Sequence, residues 1–276
     1  MNDIFTNKNE FFKNGYCVLR NFLTKDEVEK YSSLAIKFRE KNKHMRSSGL
    51  HNFKECWDII VNDRLLNVLK NLLGKDILYL YNSHIESYNQ SDSEYGWHRD
   101  NPCRIFGKGA DWNSEEKYNV IRVGFFLSSF NYKKSGVNII PGSHRKKYQL
   151  SQLLRIIWHK SKNTKSHLVQ KIRKKIIKNI GLDIETNPGD CVMFLANVHH
   201  TGIPTSELRN SLYLTYGTDN IHAQNWNNYY LKHRKFIDTD KMEIDYNAHE
   251  EFKNLLTQKN IYIAPPEKKE EIDGVT

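Results

Sequence analysis

The sequence predicts a mainly β protein with flanking helices, and three observations carry that expectation. Apolar residues recur at helical spacing up to about residue 75. From Ile77 onward they fall into short runs of strand character, separated by Gly, Pro and Asn. Helical spacing returns only in a basic stretch at 147–180 and again after residue 218, so helices do not alternate with strands as a doubly wound parallel sheet requires. An antiparallel β-sandwich or jelly roll with helices packed outside it satisfies all three.

Taken in order, residues 16–20 (Tyr-Cys-Val-Leu-Arg) read as a short strand. Thr24-Lys25-Asp26-Glu27 is a capping box, in which the Thr24 hydroxyl accepts from an early backbone N–H and Glu27 reaches back. Val28, Tyr31, Leu34, Ala35 and Phe38 follow on one helical face. A second helix runs from Asp63 through Leu65, Leu66, Val68, Leu69 and Leu72, and stops at Gly74. Strands are predicted over 77–88, 120–129, 136–140, 182–186, 191–195 and 211–216. Phe125, Phe126, Tyr213 and Tyr216 read as barrel core, whereas Arg122 interrupts its apolar strand and needs a partner. Residues 223–256 read as helical, and 265–276 are too charged and too poor in apolar residues to require order. The chain is thus expected to form one domain over 1–276. It comprises a helical flank at 1–75, a jelly-roll core at 76–217 with its basic helical insert at 147–180, a helical extension at 218–264 and a flexible tail at 265–276.

Composition narrows the class. With 276 residues, 38% hydrophobic and 12% aromatic, the chain is long enough for one substantial core, and no apolar run approaches the length of a membrane span. Its start, Met1-Asn2-Asp3-Ile4-Phe5, lacks the layout of a signal peptide. Cys17, Cys56, Cys103 and Cys191 are scattered thiols rather than a disulfide framework, so a cytoplasmic location is expected. The net charge of +10 favours an anionic partner such as a phosphate- or carboxylate-bearing small molecule. Much of it lies between Lys146 and Lys178, where Lys171, Arg173, Lys174, Lys175 and Lys178 alternate with Val169, Ile172, Ile176 and Ile177. That spacing describes an amphipathic helix with a solvated basic face. No nucleic-acid-binding signature accompanies the charge, so nucleic acid is not an expected partner.

The chemistry is concentrated in a few residues. His98-Arg99-Asp100, in an extended segment, puts an imidazole and a carboxylate on one face. These are two of the three ligands of a 2-His-1-carboxylate facial triad, which leaves neighbouring positions on a ferrous iron open. A further His comes 100 residues after Asp100, in His199-His200, after the turn Gly189-Asp190 and the apolar run at 191–195. Arg209 and Ser211 then open another strand and face one way, a guanidinium fork plus a hydroxyl suited to a carboxylate. A dicarboxylate that chelates iron at one end and is held by Arg209 at the other fits 2-oxoglutarate. A binding-only jelly roll would instead leave these groups apart, and a nucleic-acid-directed oxygenase would need the basic insert to border the pocket.

Several stretches together resemble the phytanoyl-CoA dioxygenase family of Fe(II)- and 2-oxoglutarate-dependent oxygenases. They are Phe12-Lys13-Asn14-Gly15-Tyr16-Cys17-Val18-Leu19, Trp97-His98-Arg99-Asp100, the segment from Ser135 through Pro141-Gly142-Ser143-His144 to Arg145, and Gly189-Asp190 through His200-Thr201-Gly202 to Arg209. The resemblance implies a double-stranded β-helix, with His98, Asp100 and His200 as iron ligands and Arg209 on the C5 carboxylate of 2-oxoglutarate. It also implies Fe(II), 2-oxoglutarate and O2 as requirements, and hydroxylation of an unactivated C–H bond with release of succinate and CO2. Halogenating relatives lack the carboxylate ligand, so Asp100 implies hydroxylation. Arg99 stands where the family usually has Gln, and the interval from His200 to Arg209 is shorter than usual, which leaves His199 as the alternative ligand. Asn82, His84 and Tyr95 precede the metal strand and are candidate co-substrate contacts. Arg122 and His144 are candidate substrate contacts, with Ser143 and His144 otherwise holding their turn.

Overall fold

The computed structural model describes residues 7–42, 46–88, 97–101, 110–128, 136–145, 166–178, 180–203, 208–230 and 250–263. The expectations for Tyr95, Cys103, 146–165, 231–249 and 265–276 lie outside the described residues. Helix α1 (Lys8–Asn14) is capped by the Asn7 side chain, which accepts from the Asn9 and Glu10 amides. It ends at Gly15, whose left-handed φ of 83° turns the chain into β1 (Tyr16–Leu19). A side chain there would also collide with His144 and Val198.

The capping box forms as expected. Thr24 N–H donates to Glu27 Oε2 at 2.7 Å and Glu27 N–H to Thr24 Oγ1 at 3.2 Å, opening α2 (Lys25–Asn42). Arg64 also grips both Glu27 oxygens. Burial acts to raise the Glu27 pKa, but the Thr24 amide and Arg64 win and hold it below its ordinary value. After β2 (Arg46–Ser48) and a short α3 (Trp57–Ile60) comes α4 (Asp63–Leu73), capped by Asn62 and stopped at Gly74. Leu65, Leu66, Val68, Leu69 and Leu72 of α4 are all buried.

Among the described residues the strands form two sheets. The larger has eight, in the order β1–β8–β5–β10–β3–β11, with β4 also on β10 and β2 beyond β4. Its members are β3 (Ile77–Tyr79), β4 (His84–Tyr88), β5 (Ile121–Phe126), β8 (Cys191–Leu195), β10 (Arg209–Gly217) and β11 (Ile261–Ile263), with β1 and β2. Every pairing is antiparallel except β11 on β3. The smaller sheet is β7–β6–β9, from β6 (Gly136–Ile139), β7 (Leu182–Glu185) and β9 (His200–Gly202). The chain passes from β5 to the small sheet, back to β8, across to β9 and back to β10, which is the winding of a double-stranded β-helix.

Register gives the large sheet two unlike faces. Ile121, Val123 and Phe125 align with Leu195, Met193 and Cys191 on one side and with Tyr216, Leu214 and Leu212 on the other. All are buried in a cluster shared with α2 and α4. Tyr216 reaches through this layer to donate to the Ile60 carbonyl at 2.6 Å. The alternate residues, Arg122, Gly124 and Phe126 with Ser211, Tyr213 and Thr215, face the opposite way.

Four sequence expectations change. The predicted strand at 77–88 is broken into β3 and β4 by a turn in which Asn82 has a φ of 75°. The barrel-core aromatics divide, with Phe125 and Tyr216 on the helix side and Phe126 and Tyr213 on the other. The C-terminal extension holds α7 (Ile221–Asn228) and α8 (Glu250–Gln258) but also the unforeseen strand β11. The insert contributes α6 (His167–Lys178), after the single-turn α5 (Ala110–Asn113), and its apolar residues are exposed too, Leu168 at 67% and Ile172 at 50%. Cys17, Cys56 and Cys191 are free thiols, as expected. Among the described residues no helix is long and apolar enough to cross a membrane.

A candidate metal centre between the sheets

Residues 97–101 run antiparallel to β9. His98 N–H donates to the His200 carbonyl and His200 N–H to that of His98, both at 3.0 Å. Asp100 N–H then donates to the Ala196 carbonyl at 2.8 Å. The ligand atoms of His98, Asp100 and His200 all lie within 4.8 Å of one another. On the reverse side of this segment Trp97 and Arg99 are buried. Arg99 lies 4.1 Å above the Trp112 ring, and its Nη2 donates to the Ser143 carbonyl at 2.9 Å. Ser143 Oγ in turn accepts the His199 amide at 2.9 Å, so the Pro141–His144 turn braces both ligand segments from behind.

His98 Nε2 lies 3.4 Å from Asp100 Oδ1, and His200 Nε2 lies 3.6 Å from Oδ2. His200 Nδ1 is 3.0 Å from the Val198 carbonyl, which can only accept. Nδ1 therefore carries the proton and Nε2 presents a lone pair. His199 is not a member of the group. Two imidazoles and a carboxylate at this separation, with one imidazole oriented through its other nitrogen, fit ferrous iron. Burial, together with the nearby His98, lowers the His200 pKa to about 4, which keeps the imidazole neutral and able to ligate. Burial pushes Asp100 the other way, but His200, His98 and Arg122 outweigh it and hold the carboxyl well below the usual range.

Arg122, the charge that interrupted an apolar strand, finds its partner here. Its Nε lies 3.2 Å from Asp100 Oδ2, while Nη1 donates to the Asn82 carbonyl at 2.5 Å and to Thr215 Oγ1 at 2.6 Å. Asn82 thus enters the site through its backbone, from the left-handed turn between β3 and β4. Farther along the same face, Arg209 is buried, and its Nη1 donates to the Gly136 carbonyl at 3.4 Å. Ser211 lies two residues on, and Tyr213 stacks on His84 with ring centroids 5.0 Å apart. Tyr95 lies outside the described residues. His144 Nε2 is bound to the Phe12 carbonyl at 2.9 Å. The ring lines a recess of about 250 Å³ with Phe12, Trp112 and Lys117, and no member of the triad borders that recess.

Two groups escaped the sequence reading. Glu86 is buried opposite Ser211, whose hydroxyl donates to it at 2.7 Å. The signal was present, since Glu86 is a charge among Ile85, Ser87 and their strand neighbours, as Arg122 is in its own. Asp111 is also buried, accepting from Asn101 at 3.2 Å and from Asn225 at 3.1 Å, with His222 Nδ1 at 3.4 Å. It ties α5 and α7 to the residue after Asp100. Nothing in the pattern around Asp111 announces that role.

The family model for phytanoyl-CoA dioxygenase (PhyH) matches residues 11–211. The chain belongs to this family. As a member of the phytanoyl-CoA dioxygenase family it is an enzyme of the iron- and 2-oxoglutarate-dependent oxygenase class. Solved structures share the fold. HygX from Streptomyces hygroscopicus, with nickel and 2-oxoglutarate bound, is 15% identical over 77% of this chain and 86% of its own, with a TM-score of 0.55. EctD from S. alaskensis with bound Fe is 17% identical over 76% and 75%, with a TM-score of 0.54. The carbocyclase SnoK of nogalamycin biosynthesis is 13% identical over 76% and 82%, also at 0.54. No curated protein sequence matches the chain.

Proposed function

We propose that this phytanoyl-CoA dioxygenase family member hydroxylates an unactivated C–H bond of a small, anionic substrate, using Fe(II), 2-oxoglutarate and O2 and releasing succinate and CO2. The observation that carries the reading is the convergence of His98, Asp100 and His200 opposite a sheet face bearing Arg122, Arg209 and Ser211. A binding-only jelly roll gives no reason for such convergence.

In this reading His98 Nε2, His200 Nε2 and Asp100 hold the metal. Ferrous iron held there would activate O2, the oxidant of the C–H bond, with 2-oxoglutarate supplying two of the four electrons as it becomes succinate and CO2, chemistry that no side chain of the protein can supply. The protein's own residues bind and orient. Arg209 and Ser211 receive the distal carboxylate of 2-oxoglutarate, Arg for its planar fork and Ser for its hydroxyl. Arg122 is engaged with Asp100, Thr215 and the Asn82 carbonyl, so it orients the carboxylate ligand rather than receiving substrate. The presence of Asp100 favours hydroxylation over halogenation. The net charge of +10 supports an anionic substrate. The test is conversion of 2-oxoglutarate to succinate once oxygen is admitted to anaerobically iron-loaded protein. Turnover is expected in the wild type and absent in Asp100→Ala; equal turnover in both would overturn the ligand assignment.

A further inference from the structure

The least expected group on the cavity face is Glu86. It is buried at the centre of β4, a position where a charge must be matched. Its Oε1 accepts the Ser211 hydroxyl at 2.7 Å and stands 3.9 Å from Arg209 Nη2. Its Oε2 stands 3.6 Å from His84 Nε2. The register explains the grouping, because Glu86 is the cross-strand partner of Ser211, and Arg209 lies two residues along on the same face.

The guanidinium and hydroxyl that suit the tail of 2-oxoglutarate therefore already face a carboxylate of the protein's own. A hydroxyl carries one proton, so Ser211 cannot donate to Glu86 and to a ligand carboxylate together. A second carboxylate beside Arg209 would also be brought close to the first, and like charges juxtaposed in a desolvated site repel each other strongly. We propose that Glu86 is an internal competitor for the carboxylate end of the 2-oxoglutarate site. The co-substrate must displace the Glu86 side chain from Ser211 and Arg209, and its affinity is held low by that step. The proposal rests on Arg209 and Ser211 being the receptor.

Calorimetric titration of 2-oxoglutarate into the protein loaded with redox-inert Ni(II) tests it without turnover. Glu86→Gln keeps the size and an acceptor oxygen but removes the charge. It is expected to tighten 2-oxoglutarate about tenfold or more, and Glu86→Ala, which also frees Ser211, at least as much. Unchanged or weaker binding in the folded variants overturns the proposal. If Arg209→Ala binds 2-oxoglutarate like the wild type, the receptor reading falls and this proposal with it. A clear Arg209 effect without a Glu86 effect removes this proposal alone. The wild type gives a check that needs no variant: 2-oxopentanoate, which lacks the distal carboxylate, should bind within about tenfold of 2-oxoglutarate. A much larger loss overturns the competition.

Discussion

The two faces of the large sheet are equally dry and chemically opposite. On the helix side Val123, Phe125, Cys191, Met193, Leu212 and Leu214 have no exposed surface and no charge. On the cavity side Arg122, Glu86, Arg209, Ser211 and Thr215 are nearly as buried, and all five are polar or charged, beside the aromatic Phe126 and Tyr213. The same strands contribute to both, one residue apart. Burial of apolar area on the helix side stabilises the fold. Burial of charge on the cavity side works against it unless each group is partnered, which is why Arg122 has Asp100, Thr215 and the Asn82 carbonyl around it. Stability comes from one face, and the other is free to spend it on chemistry.

That division can be broken deliberately. Asp100→Ala, opposite the cavity face, should abolish succinate formation and also lower the thermal midpoint of the apo protein, because it leaves the buried Arg122 guanidinium without its carboxylate; an unchanged midpoint would show that Thr215 and the Asn82 carbonyl suffice for Arg122. Arg209→Ala should weaken 2-oxoglutarate by about 2–5 kcal/mol in a calorimetric titration, because a desolvated charge pair is lost. On the other face, Leu214→Ala should cost about 2–5 kcal/mol of unfolding free energy by denaturant titration, with the affinity of the folded protein for 2-oxoglutarate unchanged. A smaller effect is expected at His144, away from both faces. Burial lowers its pKa to about 4, against 6.5 when unfolded. Its contribution to stability is complete above pH 6.5 and is lost as pH falls toward 4, since the unfolded chain then binds the proton more readily. His144→Gln should therefore lose less stability than the wild type between pH 7 and pH 4.

Much of this arrangement could be read from the sequence, and the reasons for the rest are physical. The strands at 120–129, 191–195 and 211–216 announced themselves because apolar side chains are required on at least one face. Thr24 and Glu27 announced a helix start because a capping box is local. His98 could be paired with Asp100 in advance because His-x-Asp needs only strand geometry, and Arg209 with Ser211 likewise, whereas His200 was set apart from His199 only by the family resemblance. What was missed depends on distant partners. Residues 261–263 become a strand only because β3 offers an edge nearly two hundred residues earlier. Asp111 matters only because Asn101, Asn225 and His222 surround it. The apolar residues of α6 were expected to be covered, and amphipathic spacing alone cannot say whether a partner layer reaches them.

The paired backbone hydrogen bonds between His98 and His200 have a dynamic consequence. Both amides belong to one short ladder between the two ligand segments, so neither backbone can fray locally at its imidazole without breaking the other's bond. Opening of the centre and loss of that ladder are one event. The exchange rates of these two amide protons with deuterated solvent therefore report how often the centre comes apart, and an added ion that bridges the segments should slow both by the same factor.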